Sequence, residues 1–95
     1  MSKKVTKIDN RSSSDGVIVN STKMNITVAC DQQQAGKFSV DLTPGSRKRV
    51  ASHIRAQPYP YGKQRYDQFN FEIGASEIWE VKESSGNLTM KKVKN

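Results

Sequence analysis

Along Met24–Leu42 apolar and polar residues take turns. Met24, Ile26, Val28 and Cys30 alternate with Asn25, Thr27 and Ala29, and beyond Asp31–Lys37 the pattern resumes as Phe38, Val40 and Leu42 around Ser39 and Asp41. Successive side chains of a strand point to opposite faces, so period two on both sides of a polar, Gly-containing connector predicts a half-buried β-hairpin. Met24 would stand on its core side.

Shorter runs surround this hairpin. Val5–Ile8 reads as a first strand and Asp9–Gly16 as a loop rich in Asn, Ser, Asp and Gly. Val17–Val19 is a short strand, and Asn20–Lys23 turns into the hairpin. Thr43-Pro44-Gly45-Ser46 fits a type II turn, with Pro fixing φ at the second position and Gly accepting positive φ at the third. In Ser46–Gln57, Val50 and Ile54 are four apart, as in a short helix capped by Ser46. The same residues alternate as Val50, Ser52, Ile54 and Ala56, and their β-branched character favours a strand. Pro58-Tyr59-Pro60-Tyr61-Gly62 is expected to be a loop, because each proline removes a ladder donor. Gln64–Ile73 is a predicted strand through the alternation of Phe69, Phe71 and Ile73. After a turn at Gly74–Ser76, Ile78–Val81 places Trp79 and Val81 on one face. A hairpin turn at Glu83–Asn87 leads into the final strand, Leu88–Val93.

About seven short strands with frequent turn signals predict an all-β fold, an immunoglobulin-like antiparallel β-sandwich. Composition agrees: valine and isoleucine number fourteen against two leucines, and β-branched side chains suit a pleated surface. The 95 residues are read as one domain, 1–95, with residues 1–4 a loose basic end. The single cysteine forms no internal disulfide, so Cys30 is expected to be a small buried hydrophobe. The start Met1-Ser2-Lys3-Lys4 leads into a polar stretch, neither signal peptide nor membrane span, which implies a cytoplasmic start. Asn10, Asn20, Asn25 and Asn87 each open an Asn-X-Ser/Thr triplet. Without a signal peptide these read as turn and strand-edge residues rather than glycosylation acceptors.

Catalysis finds little support. His53 and Cys30 are the only residues of their kinds and sit in no nucleophile motif, and the nine carboxylates are scattered. The expectation is a protein that is not an enzyme, with no cofactor and no metal. Asp9, Asn10 and Asp15-Gly16 could surround a calcium ion, but without EF-hand spacing a plain Asx-rich loop is preferred.

Charge is more informative. At a net +7, the cations Arg47, Lys48, Arg49, Arg55, Lys63 and Arg65 gather in one segment with Tyr59, Tyr61 and Tyr66, and these nine residues form the candidate binding set. A basic, tyrosine-bearing surface suits an anionic membrane, whose interface takes Tyr and whose head groups take Lys and Arg. It equally suits single-stranded nucleic acid, which uses cations for phosphates and rings for stacking. Lysines can also serve only to block edge pairing, and unpaired edges leave self-association into a homo-oligomer open.

The stretch Leu42-Thr43-Pro44 through Val50-Ala51-Ser52-His53-Ile54, the Pro-Tyr loop at Pro58–Tyr61 and the run Gly86-Asn87-Leu88-Thr89-Met90-Lys91-Lys92 carry a resemblance. Collinear over most of residues 5–93, the chain resembles the C-terminal, immunoglobulin-like membrane-binding domain of the calcium-dependent cell-adhesion protein of social amoebae. The resemblance implies a β-sandwich that attaches to the cell surface, to a membrane or to a cell-surface protein or glycan, and supports adhesion. It also implies a peripheral location reached without a classical signal peptide. It does not extend to that family's crystallin-like, calcium-binding domain, so calcium dependence is not implied, and it transfers no binding residues.

Overall fold

The computed structural model describes residues 15–94. They form eight strands: β1 Gly16–Asn20, β2 Ile26–Gln32, β3 Gly36–Leu42, β4 Arg47–Val50, β5 Ile54–Pro60, β6 Phe71–Ile73, β7 Ile78–Ser84 and β8 Asn87–Lys94. One sheet has the order β4-β1-β7-β8 and the other β3-β2-β5-β6. The sequence predicts an antiparallel arrangement throughout. The ladders agree except for one pair, since β1 runs parallel to β7, with Val17 opposite Ile78 and Asn20 opposite Val81.

The β2–β3 hairpin has the predicted register, pairing Ile26 with Leu42, Val28 with Val40 and Cys30 with Phe38. Their shared inward face meets Ile18, Val50, Val81 and Met90 from the other sheet. Ile54, Ala56 and Ile73 complete this two-layer core. Phe71 meets Trp79 edge to face across the layers, with ring centroids 5.9 Å apart. Cys30 is buried and unpaired, and burial pushes its thiol up to about 12. Turn chemistry follows the sequence closely. Ser46 N–H donates to the Thr43 carbonyl at 3.1 Å with Gly45 at φ 81°. Ser85 and Gly86, both at positive φ, form the two-residue loop between β7 and β8, the backbone pattern of a type I′ hairpin.

Four further expectations are corrected. Met24 lies outside β2, and its side chain is exposed instead of facing the core. Ser46–Gln57 is neither one helix nor one strand, because the chain breaks at Ala51–His53 and passes from the first sheet to the second. His53 takes the left-handed backbone conformation there, at φ 62°. Pro58 and Pro60 belong to β5 and pair with Val28 and Ile26. Strand β6 matches only Ile54–Ala56 of β5, so beyond Ala56 one edge is open and a missing donor costs no ladder bond.

Finally, Gln64–Asn70 is not strand, and only Phe71–Ile73 pairs. The 61–70 connection instead lies over the outer face of the second sheet, where Gly62 N–H donates to Thr27 Oγ1 at 3.0 Å and Asn70 N–H to Gln57 Oε1 at 3.1 Å. That cover explains why Thr27 and Ala29 are buried although they point away from the core. The predicted strand Val5–Ile8 lies outside the described residues.

Candidate functional site

The strand β4 consists of Arg47, Lys48, Arg49 and Val50, and only the valine is buried. Arg47 and Arg49 pair with Val19 and Val17, which flank the core residue Ile18, so both guanidinium groups leave the outer face of the first sheet. Lys48 is opposite Ile18 but sits on the edge strand, where its stem can follow the sheet while the ammonium stays in water. The same outer face continues through Val17, Val19, Ile78 and Glu80 to Lys82 and Lys91. Glu80 is taken by Lys82 at 3.6 Å. Among the described residues no carboxylate pairs with Arg47, Lys48, Arg49 or Lys91.

The remaining candidates lie elsewhere. Arg55 and Tyr59 alternate with the buried Ile54, Ala56 and Pro58, so they leave the outer face of the second sheet, on the opposite side of the sandwich. Arg55 is held there by an ion pair with Asp31 and lies 5.4 Å from the centroid of the Phe69 ring. Tyr61, Lys63, Arg65 and Tyr66 belong to the 61–70 connection. Arg65 pairs with Asp67, and that hydrogen bond holds the Asp67 carboxyl below the usual carboxylate range. The nine residues therefore divide into a basic edge without carboxylate partners and an aromatic face on which Arg55 and Arg65 are paired and Lys63 is not, among the described residues. The sheet change at Ala51–His53 separates them.

One end of the sandwich gathers a third group that the sequence reading did not assemble. Strands β1, β3 and β5 end there and β2 and β4 begin, as the pairings of Ile26 with Leu42 and Pro60, and of Val19 with Arg47, require. Ser21, Thr22, Lys23 and Met24 line an open recess of about 520 Å³ with Lys82 and Glu83. Tyr61 lines a second, of about 430 Å³, with Asn25, Asp41, Leu42 and Thr43. A buried network fixes the first loop: Asn20 Nδ2 donates to the carbonyls of Met24 (2.8 Å) and Leu42 (3.0 Å), and Asn20 Oδ1 accepts from Thr22 N–H and Oγ1. Asn20 is therefore an internal tie, whereas Asn25 and Asn87 are exposed and Asn10 lies outside the described residues. The signal for Met24 was its neighbour Asn25, a turn former that also delays the strand to Ile26.

At the other end, Asp31, Gln33, His53, Arg55 and Glu72 line a polar recess of about 360 Å³. Asp31 and Arg55 already neutralise one another in it. Comparison with known proteins finds no matching family model, no matching curated protein and no matching solved structure.

Proposed function

We propose that this domain is a non-enzymatic attachment module, an immunoglobulin-like sandwich in kind, that holds an anionic membrane surface through its basic first sheet. The observation that carries the reading is the run Arg47-Lys48-Arg49 on an edge strand, without a carboxylate partner among the described residues. Each such cation near an anionic bilayer contributes about 1 kcal/mol of attraction. The likeness to the social-amoeba adhesion domain points the same way and suggests a role at the cell surface, in adhesion.

Single-stranded nucleic acid is the competing ligand. It asks for stacking rings and free cations along one groove. Here Tyr59 and Phe69 lie on the face where Arg55 is already paired with Asp31, away from the cations of β4, which leaves Tyr61 as the exposed ring at the end where β4 begins. That separation favours the membrane.

Co-sedimentation with phosphatidylcholine vesicles, with and without phosphatidylserine, decides between them when a single-stranded oligonucleotide is added as competitor. Binding to the anionic vesicles alone, retained against the oligonucleotide and weakened by salt, is expected. Binding lost to the competitor transfers the function to nucleic acid.

A further inference from the structure

We infer that the domain meets the bilayer end-on, at the end where Met24 and Tyr61 are exposed, with these two side chains entering the interfacial layer and Lys23, Lys63 and Arg47 against lipid phosphates. The inference rests on the membrane reading above and adds to it an orientation and two apolar contacts.

Among the described residues the exposed large hydrophobic side chains are Met24 (37%), Tyr61 (60%) and Val93 (47%). The first two share one end of the sandwich, while Val93 lies near the finish of β8 at the opposite end. Both exposed residues are mounted on fixed backbone. Met24 N–H donates to Thr22 Oγ1 at 3.2 Å, and its carbonyl accepts from Asn20 Nδ2 at 2.8 Å. Tyr61 occupies the corner of a turn closed by Lys63 N–H donating to the Pro60 carbonyl at 2.9 Å, with Gly62 at φ 76°. Apolar groups held out from rigid loops lose little conformational freedom on insertion. A tyrosine suits the head-group layer, with its ring in the apolar boundary and its hydroxyl wet, and an unbranched methionine adapts to disordered chains.

The charge around them is complementary to lipid phosphate. Lys23 and Lys63 adjoin the two apolar residues in the chain, and Arg47 begins β4 at the same end. Two carboxylates at this end keep their charge, Asp41 with Oδ1 accepting from Thr27 Oγ1 at 2.8 Å and Glu83 with Oε2 accepting from Gly86 N–H at 2.9 Å, and the three cations outnumber them. Lys82 and Glu83 line the recess with Met24, and the β7–β8 turn beyond them, Ser84, Ser85, Gly86 and Asn87, is small or uncharged and compatible with head groups. Strand rise puts Lys48 and Arg49 only ~3 and ~7 Å further along β4 than Arg47. That is within the ~8–10 Å reach of an anionic surface at moderate salt, so the cations of β4 act on a bilayer at this end when the uncharged β7–β8 turn, which starts four residues past the level of Arg47, lies among the head groups.

The test uses cysteine substitutions Met24→Cys, Tyr61→Cys and Val93→Cys in the full chain, each carrying a polarity-sensitive fluorophore. Native Cys30 is buried with a raised pKa and does not compete for the label. On phosphatidylcholine–phosphatidylserine vesicles, labels at 24 and 61 are expected to shift to the blue and become shielded from aqueous iodide, and the label at 93 to stay unchanged. The double variant Met24→Ala/Tyr61→Ala is expected to bind roughly tenfold more weakly, with its salt dependence preserved. A shifted label at 93, unshifted labels at 24 and 61, or full affinity in the double variant would each overturn the end-on orientation while vesicle binding persists. Absence of vesicle binding by the unmodified protein overturns the membrane reading itself.

Discussion

The carboxamide of Asn20 is wholly buried and makes four hydrogen bonds, two as donor and two as acceptor, across the junction of β1, β2 and β3. Truncation would leave the Met24 and Leu42 carbonyls and the Thr22 donors without this partner. Asn20→Ala is therefore expected to cost about 3 kcal/mol, a fall in melting temperature of roughly 10–20 °C, measurable by thermal denaturation. A change within a degree or two would mean that the network closes without it. Glu77 plays a related part at the other end of the fold. Its Oε1 accepts from Gly74 N–H at 2.8 Å and from Trp79 Nε1 at 2.9 Å, with Lys92 Nζ 3.7 Å from Oε2. These contacts, the Gly74 bond foremost, hold its carboxyl below the usual carboxylate range. A lowered folded-state pKa gives stability that is present above the unfolded value and lost as pH falls through the folded one. Glu77→Gln should thus lower the melting temperature at neutral pH, with the gap closing in acid. A gap independent of pH would remove charge from the explanation.

Among the elements, the clearest in the sequence were those whose pattern and turn residues agree. The Ile26–Leu42 hairpin combines strict alternation with Gly36 at φ 79°, and the last hairpin combines Val81 and Met90 with Gly86 at φ 83°. What was not legible is a matter of neighbours. Pro58 and Pro60 break a strand only where both edges are paired, and the shortness of β6 appears nowhere in their own stretch. Phe69 continues an alternation yet serves as a platform for Arg55. The candidate set was legible as residue types, and its division was not. Arg49 and Arg55 are six apart but emerge on opposite faces, because the chain changes sheets at His53. A histidine in the left-handed region carries a Cβ penalty of about 1 kcal/mol. His53→Gly should leave stability unchanged or raised by up to about 1 kcal/mol, whereas His53→Val should lower it by about 1–2 kcal/mol. Chemical denaturation of the two variants checks this. Equal stabilities would mean that the backbone at the sheet change relaxes freely.

For the whole molecule, the positive charge is unevenly balanced. Both arginines of the second sheet and its loop, Arg55 and Arg65, are matched by Asp31 and Asp67, with Lys37 and Lys63 unpaired there, while the first sheet leaves the run Arg47-Lys48-Arg49 and Lys91 unmatched among the described residues. Solubility requires net charge but not the segregation of three unmatched cations onto the one edge strand β4. The proposed attachment uses that segregation, and the exposed Met24 and Tyr61 give it a direction. The most direct test is to neutralise the edge with Arg47→Gln, Lys48→Gln and Arg49→Gln together. Affinity for phosphatidylserine-containing vesicles would then be compared with that of the unmodified protein at low and high salt, with melting temperature checked in parallel. The account predicts a roughly hundredfold loss at low salt, from about 1 kcal/mol per cation, a flattened salt dependence and an unchanged fold. An intact fold with undiminished vesicle binding would contradict it.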